Sequence, residues 1–249
     1  MTEPYGTIPD YLESFIKQID EAMTLDNILS VLTERVSRLG FTHFAYWLLW
    51  PPEGARQPLC ITNYPDDWAE YYLNENYASH DYVGRFAAKS TLPFVWNKLV
   101  SERQLTQQQQ KIFHEGKDAG LKAGATVPIH GPGAAKATFS VSAEMPDKDF
   151  EKLFAQHRHE LHLMATYAHE KIIQLGLHKP LDNAIHLTPR EIEVLTWAAK
   201  GKSRWEISII LSISDETVKA HLDNTRRKLG ASNTTHAIAI ALLHGMLLP

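Results

Sequence analysis

The sequence predicts an α+β domain followed by a small all-helical one. Three observations carry this expectation. Apolar spacing is helical at both ends of the first 180 residues and strand-like in stretches between. The segment "LGLHKPLDNAIHLTP" sets Gly176, Pro180, Asp182 and Asn183 between two helical patterns, which is linker chemistry. Beyond it the pattern is short, capped and helical. Helices before, between and after a set of strands point to an antiparallel sheet flanked by helices, an α-β-α sandwich. The expected boundaries are 1–175 for this domain, 176–186 for the linker and 187–249 for a small all-α domain of four helices.

Residues 10–39 read as helical, with Leu12, Phe15, Ile16 and Ile19, then Ile28, Leu32, Val36 and Leu39 at helical spacing. After Gly40, "FTHFAYWLLW" (41–50) reads as an aromatic-rich strand and "PLCITNYP" (58–65) as a second. "GATVPIHG" and "KATFSVSAEM" read as two more, joined by a Gly/Pro turn at 131–133. Between these pairs, 66–90 and 102–120 look helical. Asp66 and Asp67 mark a helix start, and the glutamines at 107–110 a solvated face. A long closing helix over 147–175 carries Phe150, Leu153, Phe154, Leu161, Met164, Ala168 and Ile172.

In the second domain, Thr188 caps a helix with Pro189 in its first turn, Glu191 at the third position and Gly201 as its stop. Ser203 caps another, with Ile207, Ile210 and Leu211 as its apolar residues. "SIS" is a turn. Ser214 caps a third helix, whose first turn holds Asp215 and Glu216, favoured there by the helix dipole. Asn233 caps a fourth, with Ala237, Ile240 and Ala241 on one stripe.

Composition narrows the classes. An apolar share of 44% and a charged share of 22% are ordinary for a globular protein. No run approaches the roughly 18 consecutive apolar residues of a membrane span. The acidic start "MTEPYGTIPD" has no basic patch followed by an apolar core, so no signal peptide is expected. Cys60 is the only cysteine, which excludes an internal disulfide, fits a reducing cytoplasm and predicts a thiol buried among apolar groups. The net charge of -4 hides an asymmetry: from His186 on there are eight Lys/Arg against six Asp/Glu, and before it 17 against 23. A mildly basic piece on an acidic body suits two different jobs.

Two short helices, a tight turn and a longer helix with cations along one side make a helix-turn-helix pattern. In "TVKAHLDNTRRKL", Val218, Leu222, Thr225 and Leu229 share a buried stripe, which leaves Lys219, Asp223, Arg226 and Arg227 on a neighbouring exposed one. Such a stripe fits the major groove; an ordinary helical bundle with solvated charges has the same pattern. The stretch "LTPREIEVLTWAAKGKSRWEISIILSISDETVKAHLDNTRRKLGASNTTHAIAIAL" decides between them, because it strongly resembles the LuxR-type DNA-binding domain. Glu191, Leu195, Gly201, Lys202, Glu206, Ile207, Thr217, Val218, His221 and Leu229 stand where that family carries them. The resemblance implies a tetrahelical helix-turn-helix that binds a palindromic site in double-stranded DNA as a homodimer, with residues 233–243 at the dimer contact. Lys202, Ser203, Thr217, Lys219 and Arg226 are the candidate DNA contacts.

The first domain names the subclass. It opens with helices and lacks the acid pair of a phosphorylated receiver. "NYPDDWAEYYLNENYASHDYV" and "LPFVW" hold Tyr64, Trp68, Tyr72, Asp81 and Trp96. Aromatics with one acid could line a mostly apolar pocket, or could be a plain core with a surface acid. With Gly124, these residues match the signature of the autoinducer-binding domain of LuxR-type quorum-sensing receptors. The implied ligand is an N-acyl-homoserine lactone, and no other cofactor or metal is expected. Its lactone carbonyl would take the Trp68 indole N–H, its amide N–H would meet Asp81, and its acyl carbonyl the Tyr64 hydroxyl. Ser140, supported by Thr126, matches a family position near the amide. Tyr72 and Trp96 would wall the head group. Two departures stand out. Tyr82 follows the acid where the family usually has Pro, and Trp47 falls where many relatives carry Gly or Ala near the acyl chain.

An enzyme is the rival class. "HRHELH" (157–162) misses the H-E-x-x-H zinc spacing, so its histidines are expected on a polar helix face. No phosphate loop or nucleophile elbow occurs. The expectation is a cytoplasmic, ligand-responsive transcriptional regulator rather than an enzyme. An orphan receptor answering to a non-lactone signal and a repressor released by its ligand are the alternatives.

Overall fold

A computed structural model describes residues 9–50, 59–102, 104–131, 136–176, 187–243 and 245–247. They divide into two compact units, one whose described residues run to Gly176 and one that contains the C-terminal helices. The expected linker falls outside the described residues after Gly176, as does the 131–133 turn after Gly131.

In the first unit, the helical pattern expected over 10–39 forms two helices, α1 (Asp10–Glu21) and α2 (Leu25–Arg38). The break is local chemistry: Thr24 accepts from the Asn27 N–H at 3.2 Å and starts a new helix. Five antiparallel strands follow the order β2-β1-β5-β4-β3, with β1 His43–Trp50, β2 Cys60–Thr62, β3 Phe94–Val95, β4 Ala123–His130 and β5 Lys136–Ala143. β3 was not foreseen; two residues carry no alternation. Because β3 pairs with β4 only at Thr126 and Ala125, Pro128 lies where β4 has no strand neighbour on that side among the described residues, a place proline tolerates.

Alternation divides the sheet into two faces. Phe44, Tyr46 and Leu48, with Val127, Phe139 and Val141, pack against α1, α2 and α7 (Asp147–Gln174) through Phe15, Leu32, Phe150 and Leu161. Arg35 Nε donates to Glu160 at 2.9 Å and ties α2 to α7. Tyr46 reaches the core only because its hydroxyl lies 2.8 Å from His169 Nδ1. The other face is covered by α3 (Asp66–Asn74), α4 (Tyr82–Ala87), α5 (Trp96–Glu102) and α6 (Gln107–Asp118). β4 and β5 are therefore buried on both faces, the reason their sequences run apolar or small throughout. The arrangement is the expected α-β-α sandwich.

The second unit holds α8 (Pro189–Ala199), α9 (Arg204–Leu211), α10 (Asp215–Leu229) and α11 (Thr234–Leu243) around Val194, Leu195, Ile207, Val218 and Ala237. Thr188–Glu191 and Ser203–Glu206 form capping boxes, Ser214 caps α10, and Asn233 Oδ1 accepts from the His236 N–H at 2.8 Å. Of the three apolar residues expected on α9, Ile207 is buried and Leu211 packs against the core, whereas Ile210 is 41% exposed. No described helix is long and apolar enough to cross a membrane.

Candidate functional site

The cavity lies between the second face of the sheet and the covering helices. Alternate positions present Ala45, Trp47 and Leu49 from β1, Cys60 and Thr62 from β2, Gly124 and Thr126 from β4, and Thr138, Ser140 and Ser142 from β5. Its volume is about 460 Å³, the size of a small-molecule site. Of the eight residues singled out from sequence, Trp47, Tyr64, Trp68, Tyr72, Asp81, Trp96 and Ser140 line it. Thr126 does not; it is fully buried behind the wall. Towards α5 and α6 the cavity reaches exposed Val100, Ser101, Gln110, His114 and Lys117.

Asp81 is the N-cap of α4. Its Oδ1 accepts from the Val83 N–H at 2.8 Å, and its Oδ2 accepts from the Tyr72 hydroxyl at 2.8 Å. Burial pushes this carboxyl above its ordinary range, while both hydrogen bonds pull it back. Tyr82 sits at the first position of α4, where a proline is favoured and an ordinary residue costs little. The departure from the family's usual Pro therefore leaves the Asp81 cap in place. Tyr72 does more than wall the cavity, since it is Asp81's direct partner. Nothing in the sequence showed this contact, which is made across a 3-10 turn at Tyr77–Ser79. Burial and then the Asp81 charge raise the Tyr72 phenol well above normal, so it stays a donor.

The aromatics brace one another. Trp68, 7% exposed, packs edge-on to Tyr72 with centroids 6.0 Å apart, and its Nε1 has no partner among the described residues. Trp47 tilts over Tyr72 at 5.6 Å. Tyr64 is set by Thr62, whose hydroxyl donates to the Phe44 carbonyl at 2.7 Å and accepts from the Tyr64 N–H at 3.0 Å. Burial, then the nearby Cys60 and Asp81, keep the Tyr64 phenol protonated. Trp96 lies against Gly124 and donates from Nε1 to Thr126 Oγ1 at 2.9 Å, and Thr126 is 2.8 Å from Ser140 Oγ. Ser142, which sequence reasoning missed, is fully buried on this face; its hydroxyl makes no hydrogen bond of ordinary geometry among the described residues, and its nearby polar group is the Tyr64 phenol, whose pKa it draws down slightly against burial. Cys60 is only half-buried and faces the cavity, contrary to the apolar burial expected; partial burial still pushes its thiol up to about 12. Among the described residues no group of three or more His, Cys, Asp or Glu is placed to hold a metal.

In the second unit the candidate DNA contacts fall at the start of α9 and along α10. Ser203 caps α9, and Lys202 Nζ donates to Glu206 at 3.0 Å. The Ser203 backbone and then Lys202 hold the Glu206 carboxyl down at about 2. Thr217 shares a 2.8 Å hydroxyl contact with the cap Ser214. Val218, Leu222, Thr225 and Leu229 are buried, as their spacing predicts. The cations differ in commitment. Lys228 donates to buried Glu191 at 2.7 Å, a fold contact; Arg227 donates to Asn224 at 2.7 Å; Arg226 pairs with Asp223. Lys219 has no partner among the described residues.

Comparison with known proteins agrees with this division. Residues 24–172 match the model of the autoinducer binding domain, and 186–241 that of bacterial regulatory proteins of the luxR family. The quorum sensing-dependent transcriptional regulator RpaR of Rhodopseudomonas palustris is 34% identical over 91% of this chain and 91% of its own. The transcriptional activator BjaR1 of Bradyrhizobium diazoefficiens is 33% identical over 94% and 95%. The crystal structure of Escherichia coli SdiA shares the fold, with a TM-score of 0.77 at 23% identity, covering 96% of this chain and 98% of that one. The chain belongs to the LuxR family of quorum-sensing transcriptional regulators, with an autoinducer-binding domain followed by a helix-turn-helix DNA-binding domain.

Proposed function

We propose that the protein is a cytoplasmic receptor for an N-acyl-homoserine lactone that binds a palindromic promoter site as a homodimer and needs no further cofactor. One observation carries this reading. A single cavity holds an acceptor carboxylate, Asp81, together with an uncommitted indole donor, Trp68, and the hydroxyls of Tyr64 and Ser140. A lactone with a secondary amide has the complementary set: a ring carbonyl for Trp68, an amide N–H for Asp81 and an acyl carbonyl for Tyr64 and Ser140. Tyr72 and Trp96 flank the head group. Ligand bound only by the native state stabilises it by mass action. Expression with a panel of acyl-homoserine lactones should therefore raise soluble yield for one chain class, and that lactone should be recovered by extraction and mass measurement. Recovery of a different lipid in its place would favour the orphan reading.

Trp47 sets the chain class. It shares its strand face with Ala45 and Leu49, all three line the cavity, and its ring reaches Tyr72. An indole there removes space for a long straight tail. Trp47→Gly is expected to move the reporter response towards longer chains, by roughly fourfold per methylene accommodated, the worth of about 0.8 kcal/mol of burial. An unchanged chain-length preference would sink the idea.

On the DNA side, α10 supplies Thr217, Lys219 and Arg226, and the start of α9 supplies Lys202 and Ser203. Asp223 holds Arg226 on the exposed face, and an exposed pair of this kind contributes little to stability. Asp223→Ala should free the guanidinium for phosphate. Binding would tighten on every sequence, and the log–log salt slope would steepen by about one counterion. Loss of preference at a single base pair would instead assign Asp223 to reading a cytosine amino group.

A further inference from the structure

We propose that Trp96 and Thr126 are positioning residues that fix Ser140 as a hydrogen-bond donor to the ligand, through a chain running from Trp96 Nε1–H to Thr126 Oγ1 to Ser140 Oγ. The proposal rests on the lactone reading and adds a direction to it. An indole N–H only donates, and this one donates to Thr126 at 2.9 Å. A hydroxyl has one hydrogen. Thr126 is fully buried, and its other polar neighbour among the described residues is Ser140 Oγ at 2.8 Å. A buried hydroxyl hydrogen without a partner is costly, so the Thr126 hydrogen goes to Ser140. Ser140 then accepts on its inner side, and its own hydrogen is left for the cavity it lines.

The backbone enforces the chain. Thr126 pairs across the sheet with Ser140 on β5 and with Phe94 on β3, two residues before Trp96. Gly124 has no side chain to lift the indole away. In the same cavity Asp81 is committed as an acceptor, because both of its oxygens receive hydrogens from the protein. A fixed donor and a fixed acceptor take a secondary amide in one orientation, carbonyl to Ser140 and N–H to Asp81. An amide turned the other way would set hydrogen against hydrogen and oxygen against oxygen.

The test uses the full chain with butanoyl-, hexanoyl- and octanoyl-homoserine lactones labelled with carbon-13 at the acyl carbonyl. The tightest binder is carried through infrared difference spectra. The bound carbonyl stretch should move to higher wavenumber in Ser140→Ala and Thr126→Val, with an affinity loss of roughly tenfold in each, and return in Thr126→Ser. Trp96→Phe removes the donor at the far end and should give a smaller shift in the same direction; it serves as the second variant if Thr126→Val is insoluble. Affinity losses without any carbonyl shift would mean that these residues only support packing, and would overturn the relay while leaving the lactone reading intact. Failure of the wild type to bind all three lactones would overturn both.

Discussion

A single methyl group at Gly124 is expected to cost the protein its response to ligand, raising the concentration needed by roughly 100-fold or more. The reason is space. Gly124 lies in β4 with no positive φ, so it is not there for conformational freedom. A Cβ built on it would overlap Cε3 and Cζ3 of Trp96 and lie 2.6 Å from its Cδ2. These atoms belong to a rigid ring, and no rotation of a flexible end relieves the overlap. The indole must leave the sheet, and the Nε1–Thr126 bond leaves with it. Overpacking of this kind costs about 1–3 kcal/mol before the lost hydrogen bond is counted. Gly124→Ala should therefore lower soluble yield and the reporter response together. Gly124→Ala with Trp96→Leu should recover yield, since the ring is gone, and leave the response low, since the head-group wall is gone too. Wild-type dose response in the single variant would show that the indole does not hold this position in solution.

The same glycine marks where the sequence was readable and where it was not. Caps and periodicity are local, and local chemistry placed α8 to α10 from Thr188, Ser203 and Ser214. β4 and β5 were visible because both are apolar or small and β-branched throughout. Contacts between distant residues left no such trace. The Tyr72–Asp81 bond depends on a left-handed Asn76 and one 3-10 turn, and the Trp96–Thr126–Ser140 chain depends on strand register. β3 is too short to alternate. Ile210 fits the helical period yet faces outward, because an eight-residue helix carries only a narrow buried stripe, filled by Ile207. Cys60 reads as a small apolar residue, and only its pairing opposite Trp47 turns it towards the cavity. The resemblance to a family named which residues to look for. The geometry supplied what each one is bonded to.

Asp81→Asn should separate stability from response in opposite directions. The carboxyl is half-buried, and burial raises its pKa above that of an unfolded chain. For an acid shifted this way the folded state favours the protonated form. Stability is then greatest below the unfolded carboxylate pKa and falls as pH rises through the folded one. In the ligand-free protein burial penalises the ionised form of this carboxyl. Asparagine is isosteric and removes that penalty. Its Oδ1 can still cap α4 through the Val83 N–H, and its amide can donate to the Tyr72 oxygen with the hydroxyl turned round. Soluble yield without ligand should rise, and the gain should vanish when melting is compared at a pH below the carboxylate range. The response should fall by roughly 100-fold, because a strong acceptor has gone and a side-chain N–H would face the amide N–H of the proposed lactone. A variant that lost both yield and response would place Asp81 in the architecture alone. A variant that gained yield and kept its response would remove the carboxylate from recognition. Only the divergence of the two measurements is what an acceptor held at a cost for the sake of a ligand amide produces.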